Sequence, residues 1–120
     1  MNTIRKVYII KELAQEFINP PIFEKEGEDT VLKFDYESDN GKYEVTGIVF
    51  NNCINYRYGK EENLTKEDVF AYNAIVTVEN SEWIKDVVEN KIKNKYNHYK
   101  IYFDGFGVYE FISQGYSKLK

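Results

Sequence analysis

The sequence is poor in the residues that most often bind metals or act as nucleophiles. It has one histidine, His98, and one cysteine, Cys53, which together fall far short of the ligand set of a zinc site. A single cysteine also excludes an internal disulfide, which favours a reducing compartment. We therefore expect both residues to be structural, and we expect no metal and no cofactor.

Long apolar runs and catalytic motifs are missing as well. No stretch approaches the roughly 18 apolar residues that span a bilayer, and Val7–Ile10 is too short for the apolar region of an export signal. The seven glycines form no phosphate loop, and no serine has the context of a nucleophile elbow. These absences predict a cytoplasmic protein that is not an enzyme and does not bind a membrane.

Basic residues are fewer than acidic residues, 16 against 20, so the net charge is −4. The stretches from Glu24 to Glu44 and from Glu61 to Glu89 each hold eight acidic residues, against three lysines and two lysines. An acidic surface repels phosphates, so we expect no nucleic acid as a partner. The same charge attracts a basic protein, although it also serves solubility alone.

Hydrophobic spacing predicts a helix at the start of the chain. Apolar residues from Ile10 to Ile18 recur every three or four positions, and Ile4 and Val7 extend this pattern backwards. A pair of prolines follows and would end the helix.

Alternating and turn-forming residues predict three strands next. Val31–Glu37 alternates apolar and polar residues, and Lys42–Phe50 is rich in β-branched and aromatic residues. The turn between them, Ser38–Gly41, contains Asn-Gly, which accepts positive φ angles. A third strand is predicted at Ile54–Tyr58.

Two further helices are predicted in the second half of the chain. Thr65–Asp68 resembles a capping box, which predicts a helix from Lys66 that fades near Val76. Ile75–Val78 also has the composition of a strand, so this boundary stays open. Ser81, or the asparagine before it, is predicted to cap the other helix.

A hairpin completes the predicted elements, with strands at His98–Asp104 and Val108–Ser113. The predicted order α-β-β-β-α-α-β-β favours an α+β fold, an antiparallel sheet of about five strands with two or three helices packed on one face. Because the sequence contains no linker or repeat, we expect a single domain over residues 1–120.

Paired carboxylates are the nearest approach to a catalytic pattern. Asp35 and Glu37 share one face of a predicted strand, and Asp104 and Glu110 lie on facing strands of the last hairpin. Glu110 also interrupts an apolar strand, where a buried acid needs a partner. Solvent-exposed faces explain most such patterns, so a carboxylate-dependent enzyme is an alternative here.

Aromatic residues are abundant, at 17% of the chain, and eleven of them are tyrosines. Tyrosine is amphipathic and enriched at protein interfaces, and several strand tyrosines alternate with acids. The candidate partner-binding residues are Asp35, Tyr36, Glu37, Tyr56, Tyr58, Tyr102, Asp104, Tyr109 and Glu110. Packing of aromatic side chains across the sheet is the alternative explanation.

Short runs over most of the chain resemble one group of known proteins. The runs include Lys33–Tyr36, Gly47–Phe50, Ser81–Ile84, His98–Asp104 and Val108–Ser113. In these the chain resembles small, mostly uncharacterised proteins of low-GC bacteria, some of which look like immunity proteins that neutralise polymorphic toxins. The resemblance implies a binding role and carries over no functional residue.

These patterns together predict a non-enzymatic, cytoplasmic protein-binding domain of the immunity or antitoxin type. Its acidic, tyrosine-rich surface would meet a basic protein partner. The alternatives are a small-ligand-binding or carboxylate-dependent enzyme domain, and a homodimer formed through the aromatic face.

Overall fold

Nine strands and two short helices make up the described part of the chain. The computed structural model describes residues 3–9, 20–37, 40–60, 62, 64–72, 74–88, 95–103 and 106–119. The strands are β1 Thr3–Ile9, β2 Ile22–Glu26, β3 Asp29–Glu37, β4 Tyr43–Asn51, β5 Asn55–Gly59, β6 Ala74–Glu79, β7 Asn97–Phe103, β8 Gly107–Ser113 and β9 Gly115–Lys118. Helix α1, Lys66–Phe70, precedes β6, and helix α2, Glu82–Val87, follows it.

The strands form two antiparallel sheets that pack face to face. One sheet has the order β1-β6-β7-β8-β5 and the other has the order β2-β3-β4-β9. Aromatic rings from both sheets meet between them: Phe50 stacks on Phe111 at 3.9 Å, and Phe34 meets Phe103 edge-on at 5.2 Å. Each buried ring contributes about 1.5–3 kcal/mol, so this β-sandwich core supplies much of the stability.

The predicted α+β fold with a single five-stranded sheet is wrong. Residues 3–9, which the spacing assigned to a helix, form β1 and pair antiparallel with β6. The rest of that predicted helix, residues 10–19, lies outside the described residues. The helix predicted from Lys66 ends at Phe70, and the strand composition of the next segment decides its structure, since Ala74–Glu79 is β6.

Other predicted elements are confirmed. The hairpin of β3 and β4, the strand β5 and the hairpin of β7 and β8 all form close to their predicted positions. In the predicted turn, Gly41 has φ 79°, a positive angle that glycine adopts readily. Both helix starts are also confirmed: Thr65 and Asp68 exchange hydrogen bonds of 3.0 and 3.1 Å as a capping box, and Ser81 caps α2.

Both helices cover the outer face of the five-stranded sheet, away from the four-stranded one. Ile84 of α2 and Val88 after it pack against Ile112 of β8. Asp68 of α1 pairs with Lys100 of β7 at 2.7 Å. Within the described ranges, no helix is long and apolar enough to cross a lipid bilayer.

Candidate functional site

The predicted partner-binding residues that the structure describes are spread over both sheets. β3 of the four-stranded sheet carries Asp35, Tyr36 and Glu37, whereas β5, β7 and β8 of the five-stranded sheet carry Tyr56, Tyr58, Tyr102, Tyr109 and Glu110. Asp104 lies outside the described residues. The fold therefore does not bring these residues onto one continuous surface.

The β3 group is partly engaged within its own sheet. Asp35 is buried, and its carboxylate accepts a 2.6 Å hydrogen bond from the Tyr43 hydroxyl. The Tyr36 hydroxyl donates to Glu44 at 3.0 Å, and Glu37 is exposed at the end of the strand. Because Asp35 is buried and Glu37 is in solvent, they do not form a matched pair of carboxylates.

Tyr102 and Tyr109 are buried packing residues. Tyr109 lies between the sheets, with its ring 5.3 Å from that of Phe103 and 4.9 Å from that of Tyr58. Burial, together with the neighbouring Tyr58, raises the pKa of Tyr109 to about 12. Tyr102 meets Tyr72 edge-on at 5.7 Å on the outer side of the sheet. Tyr102 and Tyr109 therefore pack against other aromatic rings, as expected if these residues stabilise the sheet.

Tyr56 and Tyr58 are exposed on β5, at the edge of the five-stranded sheet, with exposed fractions of 44% and 47%. β5 pairs with β8, and no second described strand pairs with it. The Tyr56 ring stacks on Phe23 at 4.5 Å, and the Tyr58 hydroxyl donates to the carbonyl of Phe106. Both rings are thus held in place at the side of the sandwich while a large part of each stays accessible.

A row of charged and polar side chains crosses the outer face of the five-stranded sheet beside α2. The antiparallel register places Arg57 on one side of Glu110 and Lys100 on the other. Arg57 donates to both carboxylate oxygens of Glu110, from Nε at 2.9 Å and from Nη2 at 3.2 Å. The Lys100 ammonium is 3.8 Å from the same carboxylate.

His98 and Trp83 complete this row. His98 Nε2 lies 2.7 Å from Oε1 of Glu110, and both side chains are largely buried. The Trp83 ring meets the His98 ring edge-on at 5.1 Å and lies 4.0 Å from the Arg57 guanidinium, within cation–π range. The tryptophan therefore contacts both His98 and the guanidinium that pairs with Glu110.

The environment of Glu110 keeps its carboxylate ionised. Burial on its own would raise the pKa of Glu110, but hydrogen bonds from His98 and Arg57 and the charge of Lys100 outweigh it and hold the pKa at about 2. An ionised carboxylate accepts hydrogen bonds only, so the 2.7 Å contact requires a hydrogen on Nε2 of His98. Glu110 thus orients the imidazole and is not suited to donate a proton.

Ser81 lies at the other nitrogen of His98. β6 ends at Glu79, Asn80 turns the chain with φ 56°, and Ser81 then caps α2 by accepting a 3.3 Å hydrogen bond from the Ile84 amide. Its oxygen lies 2.7 Å from Nδ1 of His98. With a hydrogen on Nε2, the serine hydroxyl donates to Nδ1 when the imidazole is neutral and accepts from Nδ1 when the imidazole is protonated.

The sequence alone does not show the arrangement Ser81–His98–Glu110. Its members are separately visible: Ser81 as a helix cap, His98 as the lone histidine and Glu110 as an acid in an apolar strand. The antiparallel pairing of β6 with β7, and of β7 with β8, brings the three together. Of the three, only Glu110 is a candidate site residue from the sequence.

A cavity of about 320 Å³ adjoins this arrangement. Ser81 and His98 line it together with Asn80, Lys85 and Asn97. Ser81 and His98 are each only 4% exposed, so they line the cavity below the protein surface. The volume lies at the lower end of the range for small-molecule sites.

Cys53 stands apart from this arrangement. Its thiol is buried and donates to the Asn55 carbonyl at 3.2 Å, and burial raises the pKa of the thiol, which disfavours the reactive thiolate. Within the part of the chain that the structure describes, no group of three His, Cys, Asp or Glu residues is placed to hold a metal ion.

Comparisons of the chain with protein-family models, with curated proteins and with solved structures found no match. Two features of the structure bear on function: the exposed tyrosines of β5 and the polar row beside α2.

Proposed function

We propose that the chain is a protein-binding domain that meets its partner along β5. The observation that carries this proposal is the exposure of Tyr56 and Tyr58 on a strand at the edge of a sheet. Ile54, just before the strand, is exposed as well. An edge strand presents backbone donors and acceptors to an extended segment of another protein, and neighbouring aromatic side chains give that contact specificity.

The two tyrosines have properties typical of residues that dominate binding energy. Tyrosine offers a large contact area at a small cost in conformational entropy. The stacking of Tyr56 on Phe23 and the hydrogen bond of Tyr58 to Phe106 lower that cost further, because both rings are already oriented.

Two exposed acids near the start of β5 support a basic partner, although Lys25, Arg57 and Lys60 lie in the same region. The β2–β3 hairpin lies beside the start of β5, since the Cys53 amide donates to the Glu28 carbonyl at 3.0 Å. Glu26 and Glu28 of this hairpin are exposed, whereas Glu24 is paired with Lys33. The exposed acids would attract a basic protein and speed its association. A basic toxin is such a partner, and the resemblance to immunity proteins supports this form of the proposal.

We also propose that the protein acts in the cytoplasm. A single cysteine, buried and without a disulfide partner, supports a reducing compartment.

Affinity capture with matched variants tests the proposal. The tagged wild type is compared with a Tyr56→Ser/Tyr58→Ser double variant and with Tyr72→Ser, which changes an equally exposed tyrosine outside β5. We expect the wild type and Tyr72→Ser to capture the same basic protein, more weakly at high salt, and the double variant to lose it. Capture of the same proteins by all three, or of none by the wild type, would contradict the proposal.

Self-association is the competing use of the same strand. An exposed edge can pair with the edge of a second copy, and light scattering coupled to size exclusion distinguishes the two uses. We expect a monomeric mass for the purified protein. A dimer that the double variant converts to a monomer would show instead that β5 binds another copy of this chain.

The carboxylate-dependent enzyme has less support as a second candidate. Asp35 and Glu110 lie on different sheets, and the pKa of Glu110 is lowered, whereas a general acid working at neutral pH needs a raised one.

A further inference from the structure

We propose that Ser81 is a nucleophile, activated by His98, and that the adjoining cavity takes a small carboxylic ester. This activity goes beyond partner binding and beyond the sequence-based expectation that the chain is not an enzyme. It rests on a continuous hydrogen-bonded path from the serine hydroxyl through the imidazole to a carboxylate, bordered by a cavity.

The geometry meets the requirements of a serine–histidine–carboxylate arrangement. Both hydrogen bonds are 2.7 Å long, within the range in which a base takes a proton from a hydroxyl. In the common arrangement the serine faces Nε2 and the carboxylate faces Nδ1. Here Ser81 faces Nδ1 and Glu110 faces Nε2. Either nitrogen of a neutral imidazole can act as the base, provided that the other holds the hydrogen.

Local structure fixes each member in position. Ser81 is held at the cap of α2 by the Ile84 amide, and the turn before it uses the positive φ of Asn80. His98 is held between Ser81 and Glu110 and is covered by Trp83. Glu110 is in turn fixed by Arg57, so it is a positioning residue that acts through the imidazole.

The reaction balances with water as the only co-reactant. Ser81 Oγ bonds to the carbonyl carbon while its proton passes to Nδ1 of His98 and the carbonyl π pair moves onto oxygen. The electron pair on that oxygen then re-forms the carbonyl double bond, and the bond between the carbonyl carbon and the alcohol oxygen breaks. The alcohol leaves with the proton from Nδ1. Water then attacks the acyl-serine by the same route, which releases the carboxylic acid and restores the serine.

The cavity lining favours a small polar ester. The lining includes Glu79, Asn80 and Lys85, and the Lys85 ammonium is paired with Glu82 at 3.3 Å, so the cavity is polar with charges of both signs nearby. A volume of about 320 Å³ accommodates a short acyl group with its alcohol.

Labelling with a fluorophosphonate tests the proposal on the whole chain. The probe forms a bond between Oγ and phosphorus as fluoride leaves, and mass spectrometry of peptides locates the adduct. We expect one adduct, on Ser81, and labelling at least about 100-fold slower in His98→Asn, the size expected for loss of a general base. Ser117→Ala, which removes an exposed hydroxyl of β9, serves as the matched control and should label like the wild type.

Ser81→Gly removes the hydroxyl, and glycine is well accepted at a helix N-cap, so this variant should remain folded and unlabelled. An unlabelled Ser81 in the wild type, under conditions that label a known serine hydrolase, would overturn the proposal. So would an equal rate of labelling at Ser117.

Nuclear magnetic resonance of the wild type adds a test that does not depend on labelling. His98 is the only histidine, so ¹⁵N labelling of histidine gives one unambiguous pair of imidazole resonances. We expect Nε2 to carry the hydrogen in the neutral ring and Nδ1 to be an acceptor, and we expect Glu110→Gln to alter this tautomer and slow labelling of Ser81. A hydrogen on Nδ1 of the neutral ring in the wild type would contradict the proposal, because that nitrogen could not take the serine proton.

Discussion

Among single residues, Glu110 stands out for the charged and polar neighbours that it connects. It accepts from Arg57 of β5 and His98 of β7 and lies 3.8 Å from the Lys100 ammonium, while its side chain is 12% exposed. At this depth a charge is costly unless it is paired, and here the pairing more than offsets burial. The carboxylate therefore stabilises the outer face of the sheet whether or not Ser81 reacts.

Acid should remove this contribution of Glu110. The pKa of its carboxyl is about 2 in the folded protein and near 4.5 ordinarily, so the ionised form stabilises the fold above the ordinary value. This stability is lost as the pH falls from about 5 towards 2. We expect Glu110→Gln to lower the free energy of unfolding by about 3 kcal/mol at neutral pH, because each tenfold change in proton affinity corresponds to about 1.4 kcal/mol.

Denaturant unfolding of both proteins between pH 7 and pH 2.5 checks this expectation. The difference between wild type and Glu110→Gln should shrink steadily as the pH falls. Glu37→Gln, which changes an exposed carboxylate at the end of β3, is the control and should change stability little. A Glu110→Gln difference that stayed constant with pH would show that charge pairing is not its cause.

At the scale of secondary structure, the close packing of β8 against β5 depends on Gly107. This residue has φ 126°, and a Cβ placed on it would collide with the Gly59 carbonyl and lie 2.8 Å from Tyr58 Cε1. Gly59 lies on the partner strand without a positive φ, and a Cβ there would meet nothing within 4 Å. The two glycines therefore differ sharply in what a methyl group would cost.

We expect Gly107→Ala to lower the free energy of unfolding by about 3 kcal/mol or more, because it combines an unfavourable φ with a collision against backbone. Gly59→Ala is the matched change and should stay within about 1 kcal/mol of the wild type. Thermal or denaturant unfolding of the two variants measures both effects. Equal free energies of unfolding for the two variants would contradict this expectation, because they would mean that β8 moves away from β5 at little cost.

Elements with strong local signals could be predicted, and those defined by distant partners could not. The Asn-Gly turn, the capping box at Thr65 and the cap at Ser81 depend on neighbours within four residues, and all three are confirmed. Residues 3–9 form a strand because β6 lies beside them, although their apolar spacing fits a helix. β2 and β9 are short edge strands with exposed residues, so they lack the alternation that reveals a strand.

The candidate sites show the same division. An acid in an apolar strand predicts that Glu110 needs a partner, and it has one in Arg57. That Ser81 lies against His98 follows only from the pairing of β6 with β7, which no local pattern specifies. The same holds for Tyr102 and Tyr109, whose burial depends on what covers each face of the sheet.

For the whole molecule, the five-stranded sheet separates two regions with different properties. The face towards the four-stranded sheet is filled with aromatic side chains and ends at the exposed tyrosines of β5. The outer face carries α1, α2 and the polar row, and Ser81 lies beside that row against His98. A variant in one region can therefore test its role while the other region serves as an internal control.

The binding role is the central claim, and the affinity of the captured partner for matched variants tests it most directly. Calorimetric titration gives the Kd for wild type, Tyr72→Ser and the Tyr56→Ser/Tyr58→Ser double variant, each first shown to be folded. We expect the double variant to bind at least about 30-fold more weakly, equivalent to about 2 kcal/mol, and Tyr72→Ser to stay within about twofold of the wild type. A double variant that binds as tightly as the wild type would contradict the claim that β5 is the binding edge.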